Sequence, residues 1–146
     1  WSAAVEGEAL AIFMGPDAYV TPSWYETKRD TGKVVPTWNY ATVHAYGHVR
    51  FFDDPKHLLD IVTRLTSHHE DVRSAPWKVS DAPDDYIRSQ LKGIVGLELT
   101  ITRLEGKRKL SQNRNEADRE GVIAGLQASP AEADRAIASL MLDKQS

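Results

Sequence analysis

From Tyr40 to Phe51 the chain alternates between two kinds of side chain, and this pattern most narrows what it can fold into. Successive residues of a β-strand point to opposite faces. Ala41, Val43, Ala45, Gly47, Val49 and Phe51 then share one face, and Tyr40, Thr42, His44, Tyr46, His48 and Arg50 share the other. The first is suited to a core. A solvated outer face of an antiparallel sheet would also be polar, but such a face ordinarily carries Lys, Glu and Thr rather than two Tyr and two His. Read back to Lys33, the stretch KVVPTWNYATVHAYG adds Thr37, Trp38 and Asn39, and its density of aromatic and hydrogen-bonding groups points to a ligand or subunit contact.

The neighbouring segments give this strand its company. Glu8–Met14 is a short apolar run closed by Gly15-Pro16, which predicts a buried strand, a turn and a hairpin resuming at Asp17–Val20. Ser23, Trp24 and Tyr25 follow Thr21-Pro22, and a Trp-Tyr pair beside a hydroxyl either stacks on a flat ligand or plugs a barrel rim. Glu26–Lys33 reads as a charged, solvated loop. Asp54 caps and Pro55 opens a helix to about Glu70, with Leu58, Ile61, Val62 and Leu65 at helical spacing. A second helix is expected over Asp84–Ile94. Ile94–Leu104 alternates again, as a half-buried strand does, before a turn at Glu105-Gly106. Two closing helices span about 115–144, the first capped by Asn115 and the second opened by a capping box at Ser129-Pro130-Ala131-Glu132. Strands, helices, strands and helices in this order predict an α+β fold around an antiparallel sheet or barrel, as one domain over 1–146.

Lys107–Arg114, KRKLSQNR, is the second unusual stretch. Four cations stand with Ser111, Gln112 and Asn113, and only Leu110 is apolar. Lys and Arg meet a phosphate while amides read donors and acceptors on a heterocycle. The bland alternative is a basic hairpin end leading into a helix cap.

Composition excludes several classes. With 146 residues, 41% hydrophobic and 27% charged, the chain is long enough for a real core and has the balance of a soluble globular domain. No cysteine is present, so thiol catalysis, thiolate metal sites and disulfides are ruled out. A net charge of −3 gives no global attraction for nucleic acid. No apolar run reaches bilayer length and the start lacks a secretory pattern, so a cytoplasmic setting is expected. The chain opens at Trp1 without an initiator Met, and Ser2–Glu8 reads as a helix end running into a strand. His68, His69 and Glu70 read as a solvated helix end rather than a metal site, and no metal is expected. His44 and His48 would lie roughly 13 Å apart on a strand, too far to share an ion.

The runs GPDAYVTPSWY, KVVPTWNYATVHAYG and GKRKLSQNR, in this order and at these separations, resemble the PaiB-type family of FMN-binding negative transcriptional regulators. The resemblance covers nearly the whole chain. It implies a flavin split barrel acting as a homodimer, with FMN near the subunit interface. Earlier barrel strands precede the Trp1 region in that family, so it also implies a barrel lacking its N-terminal strands here, with edges that another strand would cover. Carried over by motif, the cofactor candidates are Thr37, Trp38, Asn39, Tyr40 and His44, with Lys109, Gln112, Asn113 and Arg114; Ser23, Trp24 and Tyr25 are secondary. Lys109 and Arg114 suit the phosphate, Trp38 and Tyr40 the ring system or the dimer contact, and Asn39, Gln112 and Asn113 the polar rim.

Three functions are compatible with this reading. The first is an FMN-binding repressor acting on transcription, directly on DNA or indirectly; no helix-turn-helix pattern is present. The second is a flavin-dependent oxidoreductase, for which the sequence offers no acid-base pair beyond His44 with a neighbouring Tyr. The third is a flavin-free dimerisation module.

Overall fold

The structure is a computed structural model and describes residues 7–143. It is an α+β fold in which three antiparallel strands form an open sheet accompanied by five helices, consistent with part of a split barrel. In chain order these are β1 (Ala9–Val20), α1 (Thr27–Asp30), β2 (Thr37–Phe52), α2 (Pro55–Glu70), α3 (Asp84–Leu91), β3 (Gly96–Lys109), α4 (Glu116–Gln127) and α5 (Glu132–Leu142). The sheet order is β1-β2-β3, so the aromatic strand is central. Contacts across β2 and β3 show the antiparallel register: Phe52 meets Gly96, Arg50 pairs with Glu98, and the Thr102 hydroxyl donates to the Tyr46 carbonyl at 3.3 Å. The expected helix end at Ser2–Glu8 falls, for its greater part, outside the described residues.

Two compact units are present. One holds Gly47–Ile101 with the segment ending at Ala9; the other holds Leu10–Tyr46 with the chain from Thr102 onward. In the first, the Asp54 carboxylate accepts the His57 N–H at 2.8 Å and caps α2, and the His57 ring stacks on Phe52 at 4.2 Å. Leu58 and Leu91 are its buried apolar anchors on α2 and α3.

The second unit contains the larger core. Ala18 and Val20 of β1, Tyr25, Leu110, Val122 and Leu126 of α4, and Ile137, Ala138 and Met141 of α5 form one buried cluster. Val122 and Leu126, four residues apart, lie on one stripe of α4, as helical spacing requires. Asn115 caps that helix, accepting the Asp118 N–H at 2.8 Å.

Three local expectations need correction. The hairpin turn at Gly15-Pro16 is absent, because β1 runs unbroken from Ala9 to Val20. Met14 meets Thr42 on the groove face, a Cβ at Gly15 would meet Ala41 on the other face, and Asp17 is back on the groove face bonding Trp38, so one extra residue is accommodated between Gly15 and Asp17. Such an extra residue is a β-bulge. An edge strand tolerates a proline whose missing donor leaves no ladder bond unmade. Likewise Glu105-Gly106 continues β3 rather than turning it. The third concerns α5: Ser129 accepts the Ala131 N–H at 3.2 Å and the helix begins at Glu132, so the capping box does not form. The Glu26–Lys33 loop also contains the short helix α1.

The polar face of β2 is only part of the story, since its apolar face buries Ala45 and Gly47 but leaves Val43 and Phe51 exposed. One buried polar group has an unusual position. The Tyr25 hydroxyl is buried and makes no hydrogen bond of regular geometry, its nearest polar neighbour being the Arg114 guanidinium, 4.5 Å from the ring centre. Burial raises the Tyr25 pKa above 10.0, against the opposing pull of Arg114. A raised phenol pKa means the folded state keeps its proton where the unfolded state has lost it, so this contribution to stability is complete below pH 10.0 and declines as pH climbs past it. Tyr25→Phe should therefore leave stability at pH 7 unchanged or raise it by up to about 1 kcal/mol, because an unpaired buried polar atom is removed. It should also reduce the loss of stability above pH 10.0 in urea titrations taken across alkaline pH.

Candidate functional site

The two unusual stretches meet at the start of β2 and the end of β3. The Lys109 ammonium donates to the Thr37 hydroxyl at 2.7 Å and to the Trp38 carbonyl at 2.5 Å. Just past the end of β3, the Ser111 hydroxyl donates to the Asn39 side-chain oxygen at 3.1 Å, and the Asn39 amide donates to the Met141 sulfur at 3.5 Å. Ser111 holds a left-handed conformation, with φ of 58°. That conformation is disfavoured for a residue with a Cβ, and the buried bond to Asn39 helps to hold it. Gln112 braces the same turn from both ends of its amide: it accepts the Leu110 N–H at 2.7 Å and donates to the Arg108 carbonyl at 2.7 Å.

Beside this junction the polar-aromatic face of β2 forms an open groove of about 330 Å³. Trp38, Tyr40, Thr42 and His44 from β2 supply its floor, Ile12, Met14 and Asp17 from β1 one wall, and Lys107 from β3 the other. Alternation on β3 explains the cation: Lys107 lies two residues before Lys109, on the same face. The Lys107 ammonium stands 5.9 Å from the Tyr40 ring centre. Trp38 donates its indole N–H to the Asp17 carboxylate at 2.7 Å and meets Tyr19 edge-on at 5.9 Å. Farther along the face, Tyr46 meets His44 edge-on at 6.3 Å and carries the Arg103 guanidinium 3.5 Å from its ring centre.

The sequence candidates thus divide by position. Trp38, Tyr40 and His44 line the groove, and Thr37 with Lys109 ties its end together. Asn39 is fully buried between Ser111 and Met141. Gln112 braces the turn, Asn113 is exposed in it, and Arg114 lies over Tyr25. Ser23 accepts from Lys28 at 3.3 Å; Trp24 and Tyr25 pack with the helical core, away from the groove. The sequence reading did not single out Ile12, Met14, Asp17, Thr42 or Lys107. Asp17 belongs to GPDAYVTPSWY and Lys107 to GKRKLSQNR, but turns expected at Gly15-Pro16 and Glu105-Gly106 hid which face they occupy.

Chemically, the groove offers flat aromatic walls, the hydroxyls of Tyr40 and Thr42, and the Lys107 cation across from the Asp17 carboxylate, a set that suits a planar ring carrying an anionic group near Lys107. Among the described residues, no group of three or more His, Cys, Asp or Glu could hold a metal ion, and no helix is long and apolar enough to cross a membrane.

Comparison with known proteins agrees with the resemblance. Residues 1–103 match the family model described as "Putative FMN-binding domain". An uncharacterised protein of Emericella nidulans is 42% identical over 154 aligned positions, which cover 98% of this chain and 61% of that protein. An uncharacterised Aspergillus fumigatus protein is 42% identical over 153 positions, covering 94% of this chain and 59% of its own. The Bacillus subtilis protease synthase and sporulation protein PAI 2 is 36% identical over 137 positions, 94% of this chain and 63% of that protein. The chain spans about three fifths of the length of these curated relatives. By its family match and this Bacillus relative, the chain belongs to the PaiB-type family of FMN-binding domains.

Proposed function

We propose that this chain is the FMN-binding part of a PaiB-like negative transcriptional regulator that works as a homodimer. The observation that carries the cofactor reading is the groove itself, where Trp38, Tyr40, Thr42 and His44 meet Lys107 beside the junction of the two motifs. The residues present fit FMN. An ammonium has three donors, so Lys109, with two bonds to Thr37 and Trp38, keeps one for a phosphate oxygen. Lys107 adds a second cation, and Trp38 and Tyr40 offer faces for a flat ring. Bound FMN would supply redox chemistry that no side chain of this cysteine-free protein has. The residues' own work is to hold the ring and to neutralise the phosphate.

Support for the homodimer comes from apolar side chains on the two edge strands. Ile12, Phe13 and Met14 of β1 are 54%, 60% and 65% exposed, and Leu97, Ile101 and Leu104 of β3 are similarly open. Sheet edges carrying such residues favour a covering strand or subunit. The regulatory role rests on the resemblance, and it is read out by salt-sensitive retention of a promoter fragment.

Titration of the purified protein with FMN, followed by flavin fluorescence, tests the cofactor assignment. The double variant Lys107→Ala, Lys109→Ala should bind FMN at least about tenfold more weakly, as loss of charge-assisted contacts predicts. Riboflavin, which lacks the phosphate, should be affected far less. Wild-type protein that saturates with neither flavin would refute the reading, and equal loss for both flavins would remove the cations from the phosphate.

A further inference from the structure

Two residues of the GPDAY motif, Asp17 and Tyr19, both act on Trp38. The bulge at Gly15-Pro16 turns Asp17 onto the Trp38 face. There the Asp17 carboxylate accepts the indole N–H at 2.7 Å, and Tyr19 meets the indole edge-on at 5.9 Å. Trp38 is 47% exposed, so neither core packing nor burial fixes its ring. An exposed aromatic would ordinarily sample several rotamers, and a ligand that stacks on it would have to order it. Here the ordering is already made by two neighbours that share its face only because of the bulge. The same carboxylate also gives the groove a charge direction, since Asp17 lies on the β1 wall and Lys107 on the β3 wall.

Resting on the FMN reading of this groove, we propose that Asp17 is a positioning residue: it holds the Trp38 indole as a preformed stacking wall for the planar ring and directs the ligand's anionic end toward Lys107. The bulge is the device that makes this possible. In a regular strand Asp17 would face the side occupied by Ala18 and Val20, the buried core of the second unit. The ligand class is a planar heterocycle with an anionic tail. A cationic tail would find its favourable partner at the opposite wall.

Three variants test this. Asp17→Ala removes both the acceptor and the charge, Asp17→Asn keeps a side-chain oxygen for the indole but removes the charge, and Trp38→Phe removes the donor. Two readouts are followed: FMN and riboflavin affinity by flavin fluorescence, and the Trp38 indole N–H resonance in the ligand-free protein, assigned by its loss in Trp38→Phe. Asp17→Ala should weaken riboflavin by about tenfold, the loss expected when a charge-assisted hydrogen bond is removed, should weaken FMN by less because a repelling charge is lost as well, and should shift the indole resonance and speed its exchange with water. Asp17→Asn should retain the resonance and riboflavin binding, and should bind FMN more tightly than wild type, because the carboxylate that repels its phosphate is gone. The positioning role is overturned if Asp17→Ala binds both flavins like wild type, or if its indole resonance is unmoved. The charge role is overturned if Asp17→Asn leaves the ratio of FMN to riboflavin affinity unchanged. A wild type that binds no flavin but loses indole protection in Asp17→Ala would sink the cofactor reading, and with it the stacking role, while leaving the clamp on Trp38 standing.

Discussion

Replacing Gly121 by Ala should destabilise the protein by about 3 kcal/mol, toward the upper end of what overpacking costs. The sign is the informative part. Gly121 lies inside α4, where Ala is the better helix former by about 1 kcal/mol, so local propensity alone predicts stabilisation. Tertiary contact predicts the reverse, because a Cβ at this position would overlap the Trp24 carbonyl oxygen. That oxygen is backbone within a 3-10 turn over Pro22–Trp24, fixed by Trp24 N–H to the Thr21 carbonyl at 3.2 Å and Tyr25 N–H to the Pro22 carbonyl at 3.1 Å. It has little room to move without breaking one of those bonds. Gly125, one turn along the same face, receives the Trp24 ring instead. A ring can rotate away, so Gly125→Ala should cost less than Gly121→Ala. Urea unfolding of the two variants beside wild type settles it: a Gly121→Ala protein as stable as wild type, or more so, would show that the turn yields and that the close approach is not obligatory.

The second large effect is expected at Asp118, a carboxylate 1% exposed in the first turn of α4. It accepts the Thr27 backbone N–H at 2.9 Å and the Thr27 hydroxyl at 2.9 Å, across 91 residues of sequence. The Asn115 amide completes the arrangement by donating to the Thr27 hydroxyl at 3.2 Å. Position and charge agree, since the N-terminus of a helix favours an anion. Asp118→Ala removes a charged acceptor from two donors at once, and with bonds to charged groups contributing about 1.5–3 kcal/mol each, a loss of about 3 kcal/mol is expected after partial rehydration of half-buried Thr27. Asp118→Asn retains one acceptor but turns an amide N–H toward the other donor, so about half of that loss should remain. A denaturation midpoint for Asp118→Ala within the error of wild type would mean that α1 is not tied to α4 through this group.

What could be read from the sequence depended on whether the signal was local. The bounds of α2 follow from Asp54-Pro55 and the spacing of Leu58 to Leu65, all within one helix, and the structure places the helix at Pro55–Glu70. Asn115 is equally local. Gly15-Pro16 was ambiguous by nature, because the residues that make turns also make bulges, and only the partner strand decides between them. Gly106 misled for the same reason. At the site, the two stretches that supply the cofactor candidates meet through the contacts of Lys109 and Ser111 with Thr37, Trp38 and Asn39. That Asn39 is enclosed was not legible, since Ser111 and Met141 lie 72 and 102 residues away. Tyr25 is similar: its polar atom looks available in sequence and is sealed by helices from the far end of the chain.

The proline in β1 carries a consequence for what could pair along that border of the sheet. β1 stands at one border of the three-stranded sheet with an apolar run at Leu10, Ile12, Phe13 and Met14, the composition of a growth template for fibrils. Pro16 divides that template. A visiting strand meets a missing N–H and a kink after Gly15, so it can pair in register with Ala9–Gly15 but cannot extend the ladder over the full strand. Pairing along this border would then favour one short strand over an indefinite stack.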